Sequence, residues 1–134
     1  MRRAPPARGG RVSDDDNRRG EIRIRSVNLI NYSRLRKPDD PDEPTAYELL
    51  GVARTRDLSA SGCRLITSQA LPVGIELALD LQMGEHIMKC EGTVVRSTKE
   101  QGEWALGVEF SPLDDLADAA IRAYLTFKEG AEEA

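Results

Sequence analysis

Ile75-Glu76-Leu77-Ala78-Leu79-Asp80-Leu81-Gln82-Met83 puts an aliphatic side chain at every odd position and leaves the even ones mostly polar. On an extended chain successive side chains point to opposite sides, so this period of two predicts a strand with one face in a core and one in water. The same period recurs on both sides of the stretch. Upstream, Cys63, Leu65 and Thr67 alternate with Arg64, Ile66 and Ser68. Downstream, Met88, Cys90, Gly92 and Val94 share one face of a run from Ile87 to Ser97, and Trp104, Leu106, Val108 and Phe110 share one face of another. Pro72-Val73-Gly74, Gly84-Glu85 and the polar segment Lys99 to Gly102 supply the turns between them.

The N-terminal part is less regular. Ile22 and Ile24 alternate with Arg23 and Arg25, and then Val27 and Leu29 fall on the other parity. A slip of one residue flips every side chain of a strand, so a bulge or loop end is expected near Ser26, with a strand at about Val27 to Tyr32. Arg34 to Thr45 holds three Pro and four acids and reads as a loop. Tyr47 to Arg56 is a second strand, which delivers Asp57. After Phe110, Ser111 reads as an N-cap and Pro112 as the first residue of a helix. Leu113, Leu116, Ala117, Ala120, Ile121 and Tyr124 form its apolar stripe, which is expected to cover the barrel. Six short strands joined by turns, then one helix, give a mainly β fold, a small antiparallel six-stranded β-barrel with a C-terminal α-helix.

A chain of 134 residues accommodates one such domain with tails. The expected division is a disordered basic arm over 1–17, the barrel and helix over 18–127, and a flexible acidic tail over 128–134. Residues 1 to 25 hold eight Arg against four acids, and the remainder eleven Lys and Arg against nineteen acids. A basic arm on an acidic body suits an anionic small ligand better than a broad nucleic-acid footprint. No apolar run approaches the ~20 residues of a membrane span, and the Arg-rich start lacks the apolar region of a secretory signal. The two cysteines and one histidine do not make a metal site, so Cys63 and Cys90 are expected as small core residues of a cytoplasmic protein. His86 is isolated, with no nucleophile or paired carboxylates spaced to work with it, so no enzyme is expected and no catalytic residue or cofactor is assigned.

Two short patterns carry the functional argument. Arg19-Gly20-Glu21-Ile22-Arg23 places two guanidinium side chains four residues apart. Asp57-Leu58-Ser59-Ala60-Ser61-Gly62-Cys63-Arg64-Leu65 reads as a Ser- and Gly-rich tight turn feeding a strand. An RxxxR followed by a [D/N]xSxxG in this order, ahead of a strand, resembles the signature of PilZ domains, bacterial receptors for cyclic di-GMP. The resemblance extends over about residues 18 to 127.

It implies ligand-binding roles for Arg18, Arg19, Arg23, Asp57, Ser59 and Gly62. Guanine presents O6 and N7 as adjacent acceptors, which a planar guanidinium meets with two parallel bonds and a lysine cannot. The N1-H and N2-H₂ edge donates, and Asp57 is the acceptor for it. Ser59 can bond a phosphate or ribose oxygen, and Gly62 can take φ > 0 or leave room for the purine. Arg18 extends the basic segment and adds a phosphate contact. Arg64 is expected to point into solvent, and Arg96 stands where family members often carry an aromatic. The implied ligand is cyclic di-GMP, and the implied output is a changed arm and surface sensed by a protein partner, with the chain a monomer or dimer. The alternatives are an adaptor that binds only protein, which such arginines disfavour, and a single-strand nucleic-acid binder, which the few aromatics and acidic body disfavour.

Overall fold

The odd-numbered aliphatics of the Ile75–Met83 stretch do turn inward: Leu77, Leu79 and Leu81 are among the most deeply buried side chains of the protein. In the computed structural model the described residues are 21–133, with side chains described through Gly130. The chain forms β1 (Arg23–Arg25), β2 (Leu29–Arg36), β3 (Ala46–Ser59), β4 (Gly62–Thr67), β5 (Glu76–Met83), β6 (His86–Glu100), β7 (Glu103–Phe110) and α1 (Asp115–Glu133). Strands β3, β2, β5, β6, β7 and β4 are bonded in that order and β4 pairs back onto β3, closing a six-stranded antiparallel barrel. Closure leaves none of these six strands as a free edge along its whole length. The additional strand, β1, pairs with the C-terminal end of β3, through Arg23↔Ser59, Ile24↔Leu58 and Arg25↔Asp57.

The barrel interior is aliphatic. Leu58, Leu65, Leu77, Leu79, Leu81, Val94 and Leu106 are essentially inaccessible, each burial contributing about 1.5–3 kcal/mol. Cys63 belongs to this core and Cys90 packs against it. Both are free thiols. Burial pushes the Cys63 thiol far up and the Cys90 thiol up to about 12, so neither is a thiolate near neutral pH.

Helix α1 packs against β1 and β3, sending Ile121 and Leu125 into the core. Its cap differs from the sequence expectation. The Ala117 N–H donates to Asp114 Oδ1 at 2.7 Å, so Asp114 rather than Ser111 is the N-cap, and Pro112 precedes the helix. The buried stripe also shifts: Leu116 is 82% exposed and Ala120 is exposed, while Leu125 is buried. The helix runs on to Glu133, past the point where a tail was expected.

Three strand readings need correction. A break does fall between β1 and β2, but the inward parity does not change across it. Ile24, Asn28, Ile30 and Tyr32 all point in, and Val27 and Leu29 are exposed. The expected loop from Arg34 begins later, because β2 continues to Arg36, opposite Ala46. The polar segment at 99–102 is tighter than a loop: Lys99 and Glu100 stay in β6, and Gln101-Gly102 makes a two-residue turn with both residues at positive φ.

Candidate functional site

A one-residue irregularity in β3 decides where the site lies. Arg54 and Thr55 face Ile66 and Leu65 on β4, and the register then shifts so that Asp57 faces Arg64. Before the shift the odd positions Ala53 and Thr55 are buried; after it the even position Leu58 enters the core. The extra residue at Arg56 is a β-bulge that turns Asp57 and Ser59 onto the outer face. Without it both would keep the inward parity of Ala53 and Thr55. The expected turn is correspondingly narrower: Asp57 and Ser59 belong to β3, and only Ala60 and Ser61 lie between the strands.

On that outer face β1 brings Arg23 across from Ser59. Arg23 Nη1 donates to Asp57 Oδ1 in a short ion-paired hydrogen bond, and Nη2 donates to Ser59 Oγ at 3.2 Å. Ser59, with no exposed surface, is satisfied on every side. Its hydroxyl donates to the Gly62 carbonyl at 3.2 Å and accepts from the Ser61 N–H at 3.3 Å. Ser61 Oγ in turn donates to Glu21 Oε1 at 2.8 Å. One guanidinium thus spans a carboxylate and a hydroxyl two residues apart on the neighbouring strand, using the planar fork that lysine lacks.

The structure therefore brings together Arg23, Asp57 and Ser59. Arg18 and Arg19 lie outside the described residues. Gly62 is in place. It does not have positive φ, and a Cβ added to it would stand 2.2 Å from the Val108 carbonyl oxygen of β7. Its missing side chain makes room for the neighbouring strand β7.

Arg64 extends the sequence reading. Its side chain is 44% exposed, as expected, but it also has a charged neighbour: its Nε lies 3.6 Å from Asp57 Oδ2, the oxygen that Arg23 does not bond. A two-residue turn at Ala60-Ser61 fixes Asp57 opposite Arg64, and that pairing was the available signal. Arg96 faces Gly107 on β7, and Gly107 faces Arg64, so Arg96 belongs to the same outer row two strands away.

The connection after β1 is held by a buried polar knot. Asn28 donates its backbone N–H to Thr55 Oγ1 at 2.8 Å, and its amide Nδ2 to the Gln82 carbonyl at 2.8 Å and to Tyr124 Oη at 2.7 Å. Ser26 Oγ donates to Asn28 Oδ1, and Thr55 Oγ1 to the Ser26 carbonyl. Residues 26–28 are thereby tied to β3, β5 and α1, which fixes the strand that carries Arg23.

Arg23 is half-exposed, whereas Asp57 and Ser59 beneath it are largely covered. One surface depression is lined by Asn31, Tyr47 and Lys89 and another by Arg25, Arg54 and Ile66, and neither includes Arg23, Asp57 or Ser59. Among the described residues no group of His, Cys, Asp and Glu could hold a metal ion, and no helix is long and apolar enough to cross a membrane.

No curated protein matches the sequence. Solved structures do match. The chain is similar to the Bacillus subtilis inhibitor of motility MotI/DgrA, with a TM-score of 0.66 and 16% identity over 89% of this chain and 55% of that one. It thus spans little more than half the length of that protein. It is also similar to the PilZ domain of YcgR from Escherichia coli, solved with c-di-GMP, with a TM-score of 0.55 and 18% identity over 87% of this chain and 96% of that one. A third similar structure, the PilZ domain of CeSA from a cellulose-synthesizing bacterium, gives a TM-score of 0.52 at 12% identity over 80% and 97% of the two chains. At these identities the structural likeness establishes the fold alone. The family model for the PilZ domain matches residues 17–127, most of the sequence, and the chain belongs to that family.

Proposed function

We propose that the chain is a receptor for cyclic di-GMP, with no catalytic step, whose occupied site alters the neighbouring surface for a protein partner. The observation that carries this is the convergence of the two motifs, the second Arg of RxxxR bonding both the Asp and the Ser of DxSxxG across β1 and β3. Two further observations support it: membership of the PilZ family, and the c-di-GMP held by the PilZ domain of YcgR.

In this proposal residues 18–127 form the binding unit, and residues 1–17 a basic arm leading into it. Arg18, Arg19 and Arg23 meet the two phosphate charges and a guanine O6/N7 edge. Asp57 accepts from N1-H and N2-H₂, Ser59 bonds a phosphate or ribose oxygen, and Gly62 keeps β4 and β7 close enough to shape the floor. Because Arg23 already bonds Asp57 and Ser59, the ligand exchanges one set of charge-assisted hydrogen bonds for another, and the net affinity is the difference between them.

Titration calorimetry with cyclic di-GMP tests the assignment and gives the stoichiometry. Wild-type protein is expected to bind, and Arg23→Ala to lose about 1–3 kcal/mol of affinity, as for a lost bidentate guanine contact. An Arg19→Ala/Arg23→Ala double variant that binds like wild type overturns the site. Amide exchange locates the response, with protection on binding expected over residues 18–26 and 57–65.

A further inference from the structure

We propose that Arg64 is a specificity-determining residue of this site, one that acts by positioning the Asp57 carboxylate. The inference rests on the receptor function proposed above and adds a residue outside both sequence motifs. The two oxygens of Asp57 are held differently. Oδ1 accepts a hydrogen bond from Arg23. Oδ2 faces Arg64 Nε at 3.6 Å, a distance at which charge acts but a hydrogen bond does not. Among the described residues no other donor bonds Oδ2, so its lone pairs stay open to a donor edge.

The surroundings make that opening directional. The Asp57 side chain is 14% exposed, between guanidiniums that are 45% and 44% exposed on either side. The carboxylate is flanked by two guanidiniums, and among the described residues Oδ2 is the oxygen left without a hydrogen bond. Beyond Arg64 the next residue across the sheet is Gly107, which adds no side chain of its own to this row and is bordered by the Arg96 side chain of β6. Arg64 therefore places its charge beside the Asp57 carboxylate without consuming the oxygen that recognises the ligand. When Arg23 turns to the ligand, Arg64 remains as the counter-charge of Asp57. This selects a base whose outer edge carries two adjacent N–H donors, as guanine does and adenine does not.

The experiment is calorimetric titration of wild type, Arg64→Ala and Arg64→Lys with cyclic di-GMP and with cyclic di-AMP, alongside thermal unfolding of each variant. Arg64→Ala is expected to weaken cyclic di-GMP binding on the order of tenfold and to narrow the preference over cyclic di-AMP. Because the role is charge at a distance rather than a bidentate bond, Arg64→Lys is expected to recover most of both losses. A role in stability alone would lower the melting temperature and leave the preference unchanged, which overturns the inference. It is also overturned if Arg64→Ala keeps wild-type affinity and preference, or if Arg64→Lys is as impaired as Arg64→Ala. Those outcomes leave the receptor function standing, whereas absence of cyclic di-GMP binding by the wild-type chain overturns both.

Discussion

The two ends of β3 invert the usual relation between polarity and burial. At its N-terminal end Tyr47, Leu49 and Val52 are 62%, 72% and 65% exposed, while at its C-terminal end Thr55 and Ser59 are 1% and 0% exposed. Neighbours account for the difference. The first part of β3 pairs with β2 alone, through Leu35↔Tyr47 and Ser33↔Leu49, and β4 does not reach it until Arg54. Among the described residues nothing covers its outward apolar side chains. The last part runs between β1 and β4, and polar groups cover polar groups there: Arg23 over Asp57 and Ser59, Ser61 beside Ser59, Asn28 against Thr55. Hydropathy predicts burial where a strand faces a hydrocarbon core. It fails where hydrogen bonding does the covering, and in this protein that is the end of β3 carrying the site.

The largest expected effect comes from the backbone beneath the polar end. In Gly62→Ala the new methyl would stand 2.2 Å from the Val108 carbonyl oxygen, so β4 and β7 must separate. The expected loss is about 2–4 kcal/mol of stability by urea unfolding. A wild-type midpoint would mean that β7 does not press on this position. Gly62 would then revert to a residue kept for its ligand.

Next in size is the knot that anchors β1. Asn28→Ala strands the Gln82 carbonyl and Tyr124 hydroxyl that its amide serves, and unpaired buried polar groups cost about 1–3 kcal/mol. Tyr124→Phe removes one partner while Asn28 keeps Gln82, so about 1 kcal/mol is expected. Equal losses from the two substitutions would place the energy in the helix contact alone. The Gln82 side of the knot would then contribute little.

These residues also mark how far the sequence could be read. The barrel was legible because its strands from Leu77 onward have one face in hydrocarbon, and a period of two follows directly from that. The region around Ser26 was misread for the converse reason. Val27 and Leu29 look like inward residues and Asn28 like an outward one, but Asn28 is satisfied by Gln82 and Tyr124, 54 and 96 positions away. No local pattern encodes that. Within the site, Arg23, Asp57 and Ser59 were legible as motif letters. The bulge at Arg56 that turns Asp57 and Ser59 outward has no compositional mark. The close approach of β7 to Gly62 has no local sequence mark either.

The smallest expected effect lies at the opposite end of β3. Leu49→Ser and Val52→Ser exchange aliphatic side chains for hydroxyls on a face that is already in water, so no core contact is lost and no cavity forms. What remains is the modest preference of β-branched and large side chains for a pleated surface, together with the cross-strand pairs Ser33↔Leu49 and Asn31↔Val52. Each substitution is expected to change stability by less than about 0.5 kcal/mol and to leave cyclic di-GMP affinity unchanged, since both positions lie beyond the reach of β4. Urea unfolding at two protein concentrations checks this. A loss of about 2 kcal/mol or more, which is the scale of a buried aliphatic, would show that Leu49 or Val52 is covered in solution. If that loss also grew with protein concentration, the cover would be a second copy of the chain. The exposed and the polar ends of β3 would then differ in what buries them rather than in whether they are buried.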